Sequence, residues 1–194
     1  MSTDFGELVL LIGDFHTPTR AADIPACFKE LLNTDKISTV ICTGNVGSTA
    51  VLERLRNIPS KDCKIVAGET DIGMDLPETS VTYVGDFKLG VIHGHQVMPW
   101  GDPIALAKCA GRLGVDILVS GHTHRTHPSR IVEIGGKYLI NPGSVTGACN
   151  ALGECDIVPS FMLMAIQGGT ATLYTYEERG GETKVTMTEL KRTP

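Results

Sequence analysis

No apolar run in the 194 residues approaches the ~20 needed for a helix to cross a bilayer. The six-residue run Leu8 to Gly13 follows Asp4 and Glu7, too short and too acidic for a secretory signal. Basic charge is also short: 17 Lys and Arg face 22 Asp and Glu, a formal net charge of -5. That leaves no basic stripe to invite nucleic acid or an anionic membrane, and Lys191 and Arg192 read as solvated terminal residues. The six cysteines (27, 42, 63, 109, 149, 155) contain no C-x-x-C pair and no regular spacing. Four of them fall inside predicted helices or strands, where a free thiol packs as a small hydrophobe. The expectation is therefore a reducing, cytoplasmic compartment, without disulfides and without a cysteine zinc site. Linkers, low-complexity stretches and internal repeats are lacking too, so one domain over 1–194 is expected, with 1–6 as a mobile, mildly acidic lead-in.

What is present is an alternation of short apolar runs and amphipathic segments. "ELVLLIG" (7–13), "STVIC" (38–42), "CKIVAG" (63–68), "KLGVIHG" (88–94) and "VDILVSG" (115–121) read as strands covered on both faces. Helices are expected over 25–32, with Pro25 at the first helical position and Phe28, Leu31 and Leu32 on one face; over 48–57, capped by Ser48; and over 102–114, with Asp102 as N-cap and Gly114 past the end. That order points to an α/β sheet with right-handed crossovers. The last third changes character. "RIVEIGGKYLI" and "FMLMAIQGGTATLYTY" each carry Gly-Gly between strand-like runs, and Gly180-Gly181 leads into "TKVTMTEL". The fold class is α/β, with two packed β-sheets flanked by helices.

Polar groups able to bind metal recur where the strands end: Asp14, His16, Asn45, Glu69, His93, His122 and His124. "SGHTHRTH" (120–127) alone holds three of the six histidines. In an open α/β sheet the carboxyl ends of the strands line the ligand crevice, so these donors converge on one edge. Neighbouring glycines (13, 44, 68, 94, 121) allow sharp turns there. Imidazole with carboxylate and no thiolate suits Mn, Fe or Zn, and the donor number suits up to two ions. His95, directed away from His93, and His127, in a polar loop, read as supporting or surface residues.

"GDFH", "GN", "HGH", "SGHTH" and "INPGS", in this order, resemble the calcineurin-like metallophosphoesterase superfamily. "CTGN", "KLGVIHGHQVMPWGD", "VDILVSGHTH", "YLINPGSVTGACNAL" and "VPSFMLMAIQ" resemble, within it, the family of small retromer subunits, from about residue 8 to the C-terminus. The resemblance implies a sandwich fold with helices outside two sheets. It implies Asp14, His16 and His124 on one ion, and Glu69, His93 and His122 on the other. Active members of the wider superfamily normally have an aspartate at position 45 bridging both ions, and an asparagine at 69, often followed by a catalytic histidine. This chain has Asn45, Glu69 and Thr70. A neutral amide cannot neutralise two dications, and threonine has no proton to give at neutral pH. General acid–base help is worth ~10²–10⁴ in rate, so together the departures argue against efficient hydrolysis. Zn or Mn, weakly and unequally held, is the expected cofactor.

"HQVMPWGD" (95–102) carries Val97, Met98 and Trp100. Trp100 either packs under the next helix or anchors a partner. "SFMLMAIQ" is either a central strand covered on both sides or a strand with a docking face. The resemblance implies that Met98 and the metal edge dock into an α-solenoid subunit, vacuolar protein sorting-associated protein 35. It places Val97, Leu163 and Tyr176 in a patch on the opposite side for sorting nexins and regulators, with Val97 and Met98 facing apart as in a strand. It thus implies a non-catalytic scaffold of an endosomal coat for retrograde transport, peripheral on the endosomal membrane. The alternative is a divalent-metal-dependent phosphodiesterase of low activity; a nuclease is disfavoured by the acidity.

Overall fold

The computed structural model describes residues 6–125 and 131–192. The lead-in before Gly6 and His127 lie outside the described residues. In chain order the elements are β1 (Glu7–Ile12), α1 (Ala26–Leu32), β2 (Thr39–Cys42), α2 (Thr49–Arg56), β3 (Asp62–Ile65), β4 (Thr79–Val84), β5 (Phe87–Ile92), α3 (Pro103–Leu113), β6 (Ile117–Ser120), β7 (Ile131–Ile134), β8 (Lys137–Ile140), β9 (Ser160–Gln167), β10 (Thr170–Arg179) and β11 (Glu182–Lys191).

The helix ends follow from local chemistry. The Ser48 side chain accepts from the Val51 N–H, and Asp102 accepts from the Ala105 N–H at 2.7 Å. Gly114 closes α3 in the left-handed conformation at φ 62°. In α1, Pro25 sits one position earlier than expected, at the N-cap. Only Phe28 of that helix is buried, and Leu31 is 39% exposed because so short a helix covers little surface.

The strands form two sheets, ordered β11-β10-β9-β1-β2-β3 and β4-β5-β6-β8-β7. The expected split, an α/β sheet followed by an antiparallel set, is corrected here. β1, β2 and β3 pair in parallel in the first sheet, β5, β6 and β8 in the second, and the later hairpins add antiparallel strands to each. The three Gly-Gly pairs do turn hairpins, with φ of 58° and 71° at Gly135 and Gly136. β4 was not anticipated: its residues alternate between exposed and half-buried on an edge, so no apolar run marks it.

Alternate residues of one strand enter different layers. Val9 and Leu11 face Leu89, Val91, Ile117 and Val119 of the other sheet, while Leu10 and Ile12 pack with Phe28, Val51 and Leu55 of the helices. α3 covers the second sheet through Leu106, Cys109 and Ala110. The molecule is thus helix, sheet, sheet, helix, and two-sided burial explains the unbroken apolar runs. β9 is central: Met162 and Met164 are fully buried between the sheets, Phe161 meets Phe28 edge-on, and Leu163 stays half-buried outside.

A second correction concerns cysteine. Cys149 and Cys155 form a disulfide, with Cα atoms 4.1 Å apart. They lie in the loop between β8 and β9, where the chain turns back on itself, so the bridge needs no motif spacing. The four cysteines inside helices and strands are free, as expected. Cysteine usage therefore no longer argues for a reducing compartment. Among the described residues, no helix is long and apolar enough to cross a membrane.

Candidate metal centre

Asp14 and His16 follow β1, Asn45 follows β2, Glu69 follows β3, His93 follows β5, and His122 and His124 follow β6. The seven do meet, but not along one sheet. Three of these strands belong to the first sheet and two to the second, so the donors gather across one end of the sandwich. The chain bends sharply there. Asp14, His16, Asn45, His122 and His124 all have positive φ, between 47° and 71°; among the described non-glycine residues only Asp75 shares this. Such conformations cost of order 1–3 kcal/mol each and cluster where a site is held in shape. Glycines make the crowding possible: a Cβ on Gly68 would stand 2.1 Å from Asn45 Oδ1, and one on Gly121 2.6 Å from Asp14 Oδ2.

The donors form two trios, Asp14–His16–His124 and Glu69–His93–His122, each with its ligand atoms within 4.8 Å of one another. His124 Nε2 lies 3.0 Å from His16 Nε2 and 3.5 Å from Asp14 Oδ1. Glu69 Oε2 lies 2.7 Å from His93 Nε2 and 3.3 Å from His122 Nδ1. Yet Asp14 Oδ1, Glu69 Oε2, His16 Nδ1 and both ring nitrogens of His122 are buried with no hydrogen-bond partner. Leaving a buried polar atom unpaired costs ~1–3 kcal/mol, and a cation in each trio would remove that cost for Asp14 Oδ1, Glu69 Oε2 and one nitrogen of His122, since an imidazole offers an ion one lone pair. The ring orientations agree. His93 Nδ1 faces the Thr43 carbonyl at 2.6 Å and His124 Nδ1 the Ala148 carbonyl at 2.7 Å. Donation there leaves each Nε2 lone pair aimed into its trio. One carboxylate with two imidazoles per trio fits Zn or Mn.

The electrostatics are those of a cation site. Burial works against the Asp14 charge, but His124, His93 and His16 outweigh it and lower the pKa. Glu69 behaves likewise and is held well below the carboxylate range, with burial opposed by His122 and His93. Burial would lower the pKa of His93, yet Glu69 and Asp14 raise it; for His124 burial is outweighed by Asp14. His16 is instead pushed down to about 4, chiefly by burial, because Asp14 compensates only in part.

Asn45 stands between the trios, fully buried. Its Nδ2 is 3.0 Å from His93 Nε2 and 3.3 Å from His16 Nε2, one histidine of each trio. Its Oδ1 accepts from the Thr70 N–H at 3.1 Å and the Thr70 hydroxyl at 2.7 Å. A backbone N–H can only donate, so the oxygen must face Thr70 and the amino group the histidines. Asp71, buried and missed in the sequence reading, fixes this corner. Its carboxylate accepts from the backbone N–H of Asn45, Val46, Gly47 and Gly68. One such acid next to Glu69 reads as an ordinary loop aspartate, because only the folded chain brings the four amides together.

The apolar candidates divide. Met98 is 68% exposed, and Trp100 is 40% exposed with its Nε1–H donating to the His95 carbonyl and its ring edge-on to His122. Trp100 is thus both anchored and open. Val97 contradicts the expected patch: it is buried under α3 with Leu106 and Cys109, in a turn rather than a strand, whereas Leu163 and Tyr176 lie on the outer face of the first sheet. Tyr176 stacks on Phe161. The loop of Glu69 also exposes Ile72, at 89%; the β8–β9 loop exposes Leu152, at 69%, beside Trp100 and His122; and Ile104 at 60% opens α3 beside Met98. As lone apolar residues among polar neighbours they gave no sequence signal.

Residues 8–169 match the calcineurin-like phosphoesterase superfamily domain. Vacuolar protein sorting-associated protein 29 of Schizosaccharomyces pombe is 42% identical over 188 residues, covering 95% of this chain and 98% of that protein. The structure of vacuolar protein sorting 29 from Cryptosporidium parvum superposes with a TM-score of 0.90 at 48% identity, covering 97% of this chain and 100% of that one. Wild-type vacuolar protein sorting 29 from Entamoeba histolytica, complexed with Zn²⁺, gives a TM-score of 0.85 at 46% identity, covering 94% and 98%.

Proposed function

Because the chain belongs to the calcineurin-like phosphoesterase superfamily, and within it to the vacuolar protein sorting 29 family, we propose that it is a single-domain, non-catalytic scaffold subunit of retromer, the cargo-retrieval complex of endosome-to-Golgi transport. The observation that carries this reading is the apolar rim on and beside the loops of the two trios. Ile72, Met98, Ile104 and Leu152 are each at least 60% exposed there, with Trp100 beside them. Large exposed apolar side chains around a polar, preorganised edge are the signature of a docking surface. On this reading the edge seats the α-solenoid subunit, vacuolar protein sorting-associated protein 35. Leu163 and Tyr176, on the outer face of the first sheet, receive sorting nexins and regulators. The chain reaches the endosomal membrane only through the complex.

Zn or Mn would be held by Asp14, His16 and His124 on one side and by Glu69, His93 and His122 on the other. A bound ion supplies concentrated positive charge, which here ties loops from both sheets into one docking geometry. The chain's own residues oppose turnover: Asn45 offers an amino group where a bridging acceptor is needed, and Thr70 has no acidic proton, its hydroxyl hydrogen being directed at the Asn45 oxygen. Two complete trios favour, as a second reading, a metal-dependent phosphodiesterase of low activity. Asn45→Asp should then leave diester hydrolysis nearly unchanged, whereas a degenerate site gains activity.

The test is co-elution of the purified protein with a purified α-solenoid subunit, beside Met98→Asp. The wild type should form the complex and the variant should lose it, because an unpaired carboxylate buried in an interface costs several kcal/mol. No complex with the wild type would overturn the scaffold reading.

A further inference from the structure

We infer that Thr70 is a positioning residue that locks the Asn45 amide with its amino group toward the two trios, so that a divalent ion must compete with this chain's own hydrogen bonds. The inference concerns the same edge as the proposed docking surface, yet it stands whether or not a partner binds.

Four observations converge on it. The Asn45 amino group lies within 3.3 Å of one Nε2 in each trio, the atoms a metal would use. The amide oxygen is taken twice by Thr70, through its backbone N–H and its hydroxyl. Gly68 closes over that oxygen so tightly that a Cβ would stand 2.1 Å from it. And Asp71 pins the backbone of both Asn45 and Gly68, so the lock cannot loosen by moving a loop. Turning the amide over would set its N–H groups against the Thr70 N–H, donor facing donor. An ion drawing on His93 or His16 therefore displaces an amino group and receives no oxygen in return. A cation and an N–H donor repel at such separations, so the amide acts as a neutral occupant of the space between the trios.

Thr70 is itself exposed, with its side chain at the rim of the site, so replacing it does not disturb the core. Thr70→Val removes the hydroxyl but not the bulk, and Thr70→Ser keeps the hydroxyl. Half of the lock then opens in one variant and persists in the other.

The experiment is titration of the purified protein with Mn²⁺, read by calorimetry and by the loss of the free-ion electron paramagnetic resonance signal. Thr70→Val should bind Mn²⁺ about fivefold tighter than wild type, the worth of one neutral hydrogen bond. Thr70→Ser should match the wild type in binding and in its thermal midpoint in chelator, whereas Thr70→Val should melt slightly lower there, because it lacks a hydrogen bond that the ion-free fold makes. Asn45→Asp should tighten binding furthest and yield a spin-coupled manganese pair. The side-chain amide resonance of Asn45, identified by its loss in Asn45→Asp, should shift as Zn²⁺ is added. Binding by Thr70→Val where the wild type shows none would support the lock in its strongest form. Equal or weaker binding by Thr70→Val, a wild-type value displaced in Thr70→Ser, or no binding by any variant would overturn it. None of these readouts involves the α-solenoid subunit, so the lock and the scaffold reading fail separately.

Discussion

The two trios have the same composition, one carboxylate and two histidines, but not the same surroundings. Asp14, His16 and His124 are all buried, and Asp14 also accepts the His122 backbone N–H at 3.0 Å. His124 is held from behind by the Ala148 carbonyl, next to the disulfide. In the other trio Glu69 is 30% exposed on a longer arm, and His122 has neither ring nitrogen paired. The first trio is thus buried throughout, while the second keeps its two histidines buried and opens to solvent through its carboxylate alone. Identical donor sets can therefore differ in what they do, because burial decides whether a charge supports structure or only a ligand.

The sharpest test of that contrast is Asp14→Ala. It leaves His124 without its counter-charge in a dry site, while His93 keeps Glu69 at 2.7 Å, and should destabilise the protein by about 3–5 kcal/mol. Urea unfolding followed by circular dichroism reads this directly, and a loss under 1 kcal/mol would erase the difference between the trios. Next, Cys149→Ser should cost about 2 kcal/mol through loop entropy. It should also weaken ion uptake by the first trio, because the neighbouring Ala148 carbonyl no longer sits fixed against His124; equilibrium dialysis against Zn²⁺ with and without reductant measures it. Glu69→Ala should cost only about 1 kcal/mol or less, as expected of a half-open pair, while removing ion binding at the second trio. If Glu69→Ala unfolds the protein as readily as Asp14→Ala, the contrast fails.

The smallest effect supplies a baseline. Asp23, paired with Lys29 and Arg54 at the surface, has its pKa lowered to about 2, first by the Lys29 contact. A depressed carboxylate pKa means its stabilisation is fully present above the unfolded value of 3.8 and disappears as pH falls towards 2. Asp23→Asn should therefore cost under about 1 kcal/mol at neutral pH and nothing near pH 2. A pH series of urea midpoints checks both ends.

What the sequence disclosed, and what it hid, follows the range of the interactions. Ser48, Asp102 and Gly114 mark helix ends through bonds to residues three or four positions away, and Gly135-Gly136 makes its own turn; such features are written locally. The donors were legible as strand-end residues because that needs only the strand and the next few positions. Which sheet each strand joins was not, since β1 pairs with β9 across some 150 residues and the pairing rests on mutual burial. Val97 was misplaced for the same reason: its neighbour Leu106 belongs to a helix that only tertiary packing lays over it. The orientation of Asn45 lies deepest of all, because it depends on Thr70 and Asp71, 25 and 26 positions away.

The gathering of donors across both sheets also has a mechanical side. Among the described residues no strand pairing joins one sheet to the other, so the ladders offer no resistance to sliding of the two layers. Across this one end, His93 meets the Thr43 carbonyl and His122 meets Asp14, both shut away from water. The cross-sheet bonds that the Gly85 N–H gives Glu7 and the Tyr138 hydroxyl gives the Lys191 carbonyl are exposed or only part-buried. The sandwich is therefore hinged like a book at its histidine spine. Under pressure, or in hydrogen exchange, its pages should part from the opposite edge first, and a bound ion would stiffen the spine without slowing the fraying of the far margin.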